Sequence, residues 1–153
     1  MPRTIYLAVF SNGARPAHQS AFIPTGDSGD AGKIIHVTGN PATGFFLEFK
    51  RNYDFALTQR TFQRIPLGHV EDRHVTDTVG DGTASQDTIA RDRLESVATI
   101  VPPPGRSPNP FDPLALNCQN WLQDYIEKLV AEGYLAESAI SVLQNAPKVL
   151  PTR

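Results

Sequence analysis

Residues 114–126 read Leu114-Ala115-Leu116-Asn117-Cys118-Gln119-Asn120-Trp121-Leu122-Gln123-Asp124-Tyr125-Ile126, and they hold the only cysteine and the only tryptophan of the chain. Followed to residue 130, the apolar positions are Leu116, Trp121, Leu122, Tyr125, Ile126, Leu129 and Val130, with partners three and four apart. That spacing predicts a helix with one buried stripe. Gln119, Asn120, Gln123, Asp124, Glu127 and Lys128 fall on its other side. Pro113 suits only a first turn, Asn117 is a good N-cap and Gly133 a good terminator, so the helix is expected over 117–132. Cys118 then opens the buried stripe. The first amides of a helix are free donors at the positive end of its dipole. A thiolate there is stabilised, which is expected to lower the thiol pKa, and the same amides are placed to hold an oxyanion. The spacing is also satisfied by a small thiol packed under Trp121, a common role for a buried free cysteine.

Upstream, the segment from Val101 to Pro113 carries six prolines and is expected to be a stiff, extended connection. Before it, Ile89, Leu94, Val97, Ala98 and Val101 predict a helix over 87–101, capped by Ser85 or Asp87. Glu71 to Ser85 is polar, includes Gly80-Asp81-Gly82, and reads as an exposed loop. Five strands are expected across residues 4–70: Thr4–Phe10, His18–Pro24, Lys33–Gly39, Phe45–Phe49 and Thr61–Val70. Their connections are short and rich in Gly, Asn and Asp, which implies an antiparallel meander. A short helix over 136–145 closes the chain. Strands first and helices later make an α+β fold, a sheet with helices packed on it, in a single domain over 1–153.

Composition narrows the partners. A net charge of −2 gives no electrostatic case for nucleic acid or a membrane surface. One cysteine excludes an internal disulfide and suits a reducing, cytoplasmic setting. The first ten residues lack a long apolar run, so no secretory leader is expected, and no stretch approaches membrane-spanning length. The oligomeric state is not legible.

Two histidines can serve Cys118. His18 starts the second expected strand and His36 lies within the third, where Ile34, His36 and Thr38 share one face and Ile35 and Val37 the other. If these strands pair through the Thr25–Gly32 loop, the histidines fall near opposite ends of one hairpin, and a twisted sheet is expected to present both to the helix. A cysteine nucleophile needs an imidazole base, and the base benefits from a third group that fixes its tautomer. His69 and His74 flank Val70-Glu71-Asp72-Arg73, but with one cysteine they match no compact zinc spacing, and neither a metal nor an organic cofactor is expected. The glycines at 26–32 lack the strand–loop–helix setting of a phosphate loop.

In order and spacing, His18-x-x-Ala21-Phe22-Ile23, Gly32-Lys33-Ile34-Ile35-His36-Val37 and Asn117-Cys118-Gln119-x-Trp121-Leu122 resemble the permuted branch of the NlpC/P60 papain-like superfamily. That branch includes the lecithin:retinol acyltransferase-like proteins, with "His-Trp-Ala-Ile-Tyr", "Val-His-Leu"-like and "Asn-Cys-Glu-His-Phe" segments in this order. The chain is also similar to small fungal proteins with the same His-first, Asn-Cys-last layout. The sequence departs from the pattern at Gln19, where an aromatic is usual, and at Gln119, where Glu is usual. The resemblance implies a permuted papain-like fold with Cys118 as nucleophile, His18 as base and His36 as the group orienting it. It implies a hydrolase or acyltransferase acting on an ester, thioester or amide of a small molecule or peptide through an acyl-enzyme. Two alternatives stand beside it: a non-catalytic member of the fold that binds a ligand or peptide, and an acid–base enzyme that uses the histidines while Cys118 is structural.

Overall fold

The computed structural model describes residues 2–27 and 29–150. Strands β1 (Pro2–Phe10), β2 (His18–Pro24), β3 (Ala31–Asn40) and β4 (Gly44–Asp54) follow one another as antiparallel neighbours. Then the meander breaks. Strand β5 (Phe62–Glu71) does not extend it beside β4 but crosses to the far edge and pairs antiparallel with β1. A three-residue strand β6 (Ser85–Asp87) takes the vacant edge of β4, giving one six-stranded antiparallel sheet in the order β5-β1-β2-β3-β4-β6.

The helices are α1 (Arg93–Thr99), α2 (Cys118–Ala131) and α3 (Ser138–Gln144). All three contribute to a core with one face of the sheet: Ile5, Leu7 and Val9 of β1, Ala21 and Ile23 of β2, and Ile35 and Val37 of β3 meet Leu94, Trp121, Leu122, Tyr125, Ile126 and Leu143. The other face has its own smaller core of Ala8, Phe10, Phe22, Ile34 and Phe55. Phe55 sits in the turn after β4, stacked on Phe10 at 5.6 Å and edge-on to Phe22 at 4.7 Å. With apolar cover on both sides, the central strands read as continuous apolar runs.

Several boundaries differ from expectation, two of them because of charge pairing. The helix expected at 87 begins at Arg93, because the Asp87 carboxylate is taken by the Arg51 guanidinium (2.9 and 3.2 Å) and Asp92 caps the helix instead, accepting from the Glu95 amide at 2.8 Å. Residues 85–87, expected in or beside a loop, are drawn onto β4 by that same ion pair. The last helix is shorter than expected, Ser138–Gln144.

Helix α2 matches its pattern closely. Asn117 Oδ1 accepts from the Gln119 amide, and Asn120 Oδ1 accepts from the Asn117 amide, both at 2.9 Å, closing a capping box. Gly133, at φ +84°, ends the helix, and the Tyr134 amide turns back to the Leu129 carbonyl at 2.9 Å. The buried stripe is Cys118, Trp121, Leu122, Tyr125, Ile126 and Leu129. Trp121 stacks on Tyr125 at 5.1 Å and donates to the Val101 carbonyl, and the Tyr125 hydroxyl donates to the Leu94 carbonyl. Replacing Asn117 by Ala removes the arm of the box made by its side chain, leaves the Asn120 arm on the Asn117 backbone amide, and should cost about 1 kcal/mol of stability. An unchanged urea midpoint would show that packing alone fixes the helix start. Among the described residues, no helix is long and apolar enough to cross a membrane.

Candidate active site

The register of β2 on β3 runs from Pro24↔Gly32 to Ala21↔Ile35 and stops there. Beyond it the strands part, and the N-terminus of α2 comes in at the opening. Cys118 is 8% exposed, with Sγ directed at the Ala17 carbonyl at 3.9 Å. The Gln119 side chain anchors the same place, donating to the Ala17 carbonyl (2.9 Å) and the Lys148 carbonyl (2.8 Å). The Ala17 amide in turn donates to Lys148, and Gln19 donates to the Pro147 carbonyl, so the start of β2 is tied to the chain beyond α3.

The two histidines come together. His18 Nε2 and His36 Nδ1 lie 2.7 Å apart, with the rings edge-on at 76°. His36 Nε2 is 2.8 Å from Glu48 Oε1, its directly opposed neighbour across β3 and β4. Far from occupying opposite ends of a hairpin, the rings form a continuous Glu48–His36–His18 chain. Strand alternation places this chain on the side of the sheet away from α2. Ile35 and Val37 face the helices, whereas His36 shares its face with Ile34, and His18 lies 5.9 Å from the Phe10 ring in the smaller core. The expectation that the sheet turns both rings toward the helix therefore fails, since the helix covers the other face. His18 and Cys118 nevertheless line one cleft of about 660 Å³ at the parting of β2 and β3, with Val37, Thr38, Phe45 and Phe111 among its walls.

The electrostatics also depart from expectation. Burial pushes the Cys118 thiol above its ordinary pKa, and the nearby amides of Gln19, Cys118 and Gln119 only partly offset this. The helix N-terminus does not produce a depressed thiol here. The capping box engages the Gln119 amide, and the Asn120 amide donates to the Asn117 carbonyl, so these two amides are taken up within the helix start. Burial lowers both histidines from 6.5 to about 3, helped at His18 by His36, Arg60 and Lys50 and at His36 by Lys50. Both rings are therefore neutral at neutral pH.

His69 stands on edge strand β5, and His74, in the turn after it, packs edge-on against Tyr134 at 4.8 Å and reaches Glu71 at 3.4 Å. Neither is grouped with Cys118. Among the described residues no cluster of three His, Cys, Asp or Glu side chains has the geometry to hold a metal ion. The residue that sequence reasoning missed is Glu48. Its signal was the hairpin register: counting back from the closing pair Asn40↔Gly44 sets His36 against Glu48.

No curated protein and no solved structure matches the chain. The model of a family of unknown function, DUF6540, matches residues 5–136, from β1 to beyond α2, and the chain belongs to that family.

Proposed function

We propose that the protein is a cysteine-dependent hydrolase or acyltransferase acting on an ester, thioester or amide, with an antiparallel sheet and nucleophile helix of the permuted papain-like kind. The observation that supports this best is that His18 and Cys118 line the same cleft while His18 is held through Nε2 by His36. In the reaction the thiol proton passes to His18 as sulfur bonds to the carbonyl carbon, and the Cys118 amide receives the developing oxyanion. Collapse of the tetrahedral intermediate breaks the bond to the leaving group, which takes the proton back from His18. Water or a second nucleophile then attacks the acyl-enzyme, giving its proton to His18 and releasing the thiol. Because burial holds the thiol neutral, attack depends on a base acting in the same step rather than on a preformed thiolate.

A nitrophenyl ester tests this. Wild type should leave an acyl mass on Cys118 with release of nitrophenol. Cys118→Ala should abolish both, and His18→Ala should slow acylation by roughly 10²–10⁴-fold. A folded wild type whose Cys118 is never acylated overturns the proposal.

A second reading has its own observation. The thiol is nearly covered and points at a carbonyl, while the imidazoles stand on the other face of the sheet. That arrangement favours a cleft that binds a ligand or peptide without acyl transfer, with Cys118 structural. Ester turnover at wild-type rate in Cys118→Ala would instead assign the chemistry to the histidines.

A further inference from the structure

We infer that Glu48 is a positioning residue that sets the tautomers of both His36 and His18, and so makes His18 Nδ1 the basic atom of the site. The assignment of Nδ1 as the base rests on the reaction proposed above; the tautomers themselves do not.

The inference follows from counting protons along one line of hydrogen bonds. A neutral imidazole carries one N–H and one lone pair, and which nitrogen holds which is decided by its partners. Glu48, as a carboxylate, can only accept. His36 Nε2, 2.8 Å from Glu48 Oε1, must therefore carry the proton of its ring. His36 Nδ1 is then a lone pair. His18 Nε2, 2.7 Å from it, must supply the hydrogen of that contact. A neutral His18 that donates from Nε2 must then carry its lone pair at Nδ1. Without the carboxylate the line has no direction. The two rings would satisfy each other equally well reversed, with His18 Nδ1 protonated and useless as a base.

The surroundings make this direction binding. Lys50 and Arg60 both act against a charge on His18, Lys50 acts against one on His36, and desolvation weighs on both rings, so neither takes a second proton at neutral pH. Glu48 and His36 are opposed residues on paired strands, so the contact is fixed by backbone register rather than by a flexible loop.

The experiment is nitrogen-15 NMR of the imidazole rings in the intact chain, which has four histidines to assign. In wild type at neutral pH, His36 and His18 should each show a protonated Nε2 and an unprotonated Nδ1. Glu48→Gln, whose amide can donate as well as accept, should shift both rings toward the reversed tautomers. Acylation of Cys118 by the nitrophenyl ester should then fall by on the order of 10²–10⁴-fold, the loss expected when a base is held in the wrong tautomer. Glu48→Asp, which keeps an acceptor-only group, should restore the wild-type ring signals. A protonated Nδ1 on wild-type His18 overturns the inference with no variant required. So does a Glu48→Gln protein whose ring signals match wild type. If the tautomers are as described and wild-type Cys118 still resists acylation, the orienting role of Glu48 stands and the hydrolase reading fails.

Discussion

Replacing Glu95 by Ala should destabilise the protein by about 3–5 kcal/mol, the range for removing one member of a buried charge network. Glu95 projects from α1, is 0% exposed, and serves two cations from the sheet beneath. Its Oε2 accepts from Arg51 Nη1 at 2.6 Å and Lys33 Nζ at 2.7 Å, and its Oε1 accepts from Arg51 Nη2 at 2.9 Å and the Arg91 amide at 3.0 Å. Burial alone would raise this carboxyl; the Arg51 hydrogen bonds and the Lys33 charge outweigh it and hold the pKa below the ordinary range. Deleting the carboxylate leaves Arg51 with Asp87 and Lys33 with Asp92, each cation still enclosed but short of one counter-charge. Urea unfolding measures the loss. Glu95→Gln keeps an acceptor and most of the volume, so it should lose less than Ala. A loss from Glu95→Ala no larger than that of an exposed ion pair, below about 1 kcal/mol, would refute the network's role. The consequence reaches the site, because Lys33 lies on β3 with His36 and Arg51 on β4 with Glu48.

Mild acid should unfold the protein through its histidines. Folding lowers His18 and His36 from 6.5 to about 3, chiefly by burial. Below pH 6.5 the unfolded chain takes up protons that the folded chain refuses, so stability falls as pH falls. The loss is complete near pH 3, and above 6.5 this contribution is constant. At about 1.4 kcal/mol per pH unit, a ring lowered this far is worth on the order of 5 kcal/mol across the window. Even one such ring is a large share of the roughly 5–15 kcal/mol that holds an ordinary domain. The carboxylates of buried Glu95 and half-buried Asp87, with lowered pKa values, add their own acid losses, but only below their ordinary values of 4.5 and 3.8. The interval from pH 6.5 to 4.5 therefore isolates the rings. Urea midpoints should fall steadily across it, and His36→Gln should reduce the slope by about half. Midpoints that stay level from pH 7 to 4.5 would show that the rings accept protons in the folded state.

Much of the sheet was legible because its strands alternate or run apolar between clear turns, as in Thr4–Phe10 and Lys33–Gly39. The placement of β5 was not. A period of two tells which residues share a face, but it does not name the neighbouring strand, and nothing in Phe62–Glu71 marks β1 rather than β4 as its partner. Strand β6 escaped because Ser85-Gln86-Asp87 has no strand pattern of its own, only the attraction of Asp87 to Arg51. At the site, the alternation of Ile34, His36 and Thr38 against Ile35 and Val37 was readable, but not which set the helices would cover. Ile34 and Ile35 are both buried, Ile35 in the core under α2 and Ile34 in the smaller core with Phe55, so the presence of a buried isoleucine on each face could not choose between them. The thiol's raised pKa was missed for a related reason. Helix position alone argues for a thiolate, whereas the enclosure around Sγ depends on how β2 and the segment after α3 close over it.

The crossing of β5 to β1 bears on synthesis. Hairpins β1–β2, β2–β3 and β3–β4 join near neighbours and can close soon after each emerges from the ribosome. The outer edge of β1 cannot, because its partner is made only after β4 and the turn that follows it. At about 5–20 residues per second, that row of backbone donors and acceptors waits several seconds in the open. Until then it is a template for any extended segment nearby. The nascent chain should accordingly need a holdase most in the interval between translation of residues 10 and 62, and least once β5 has capped the row.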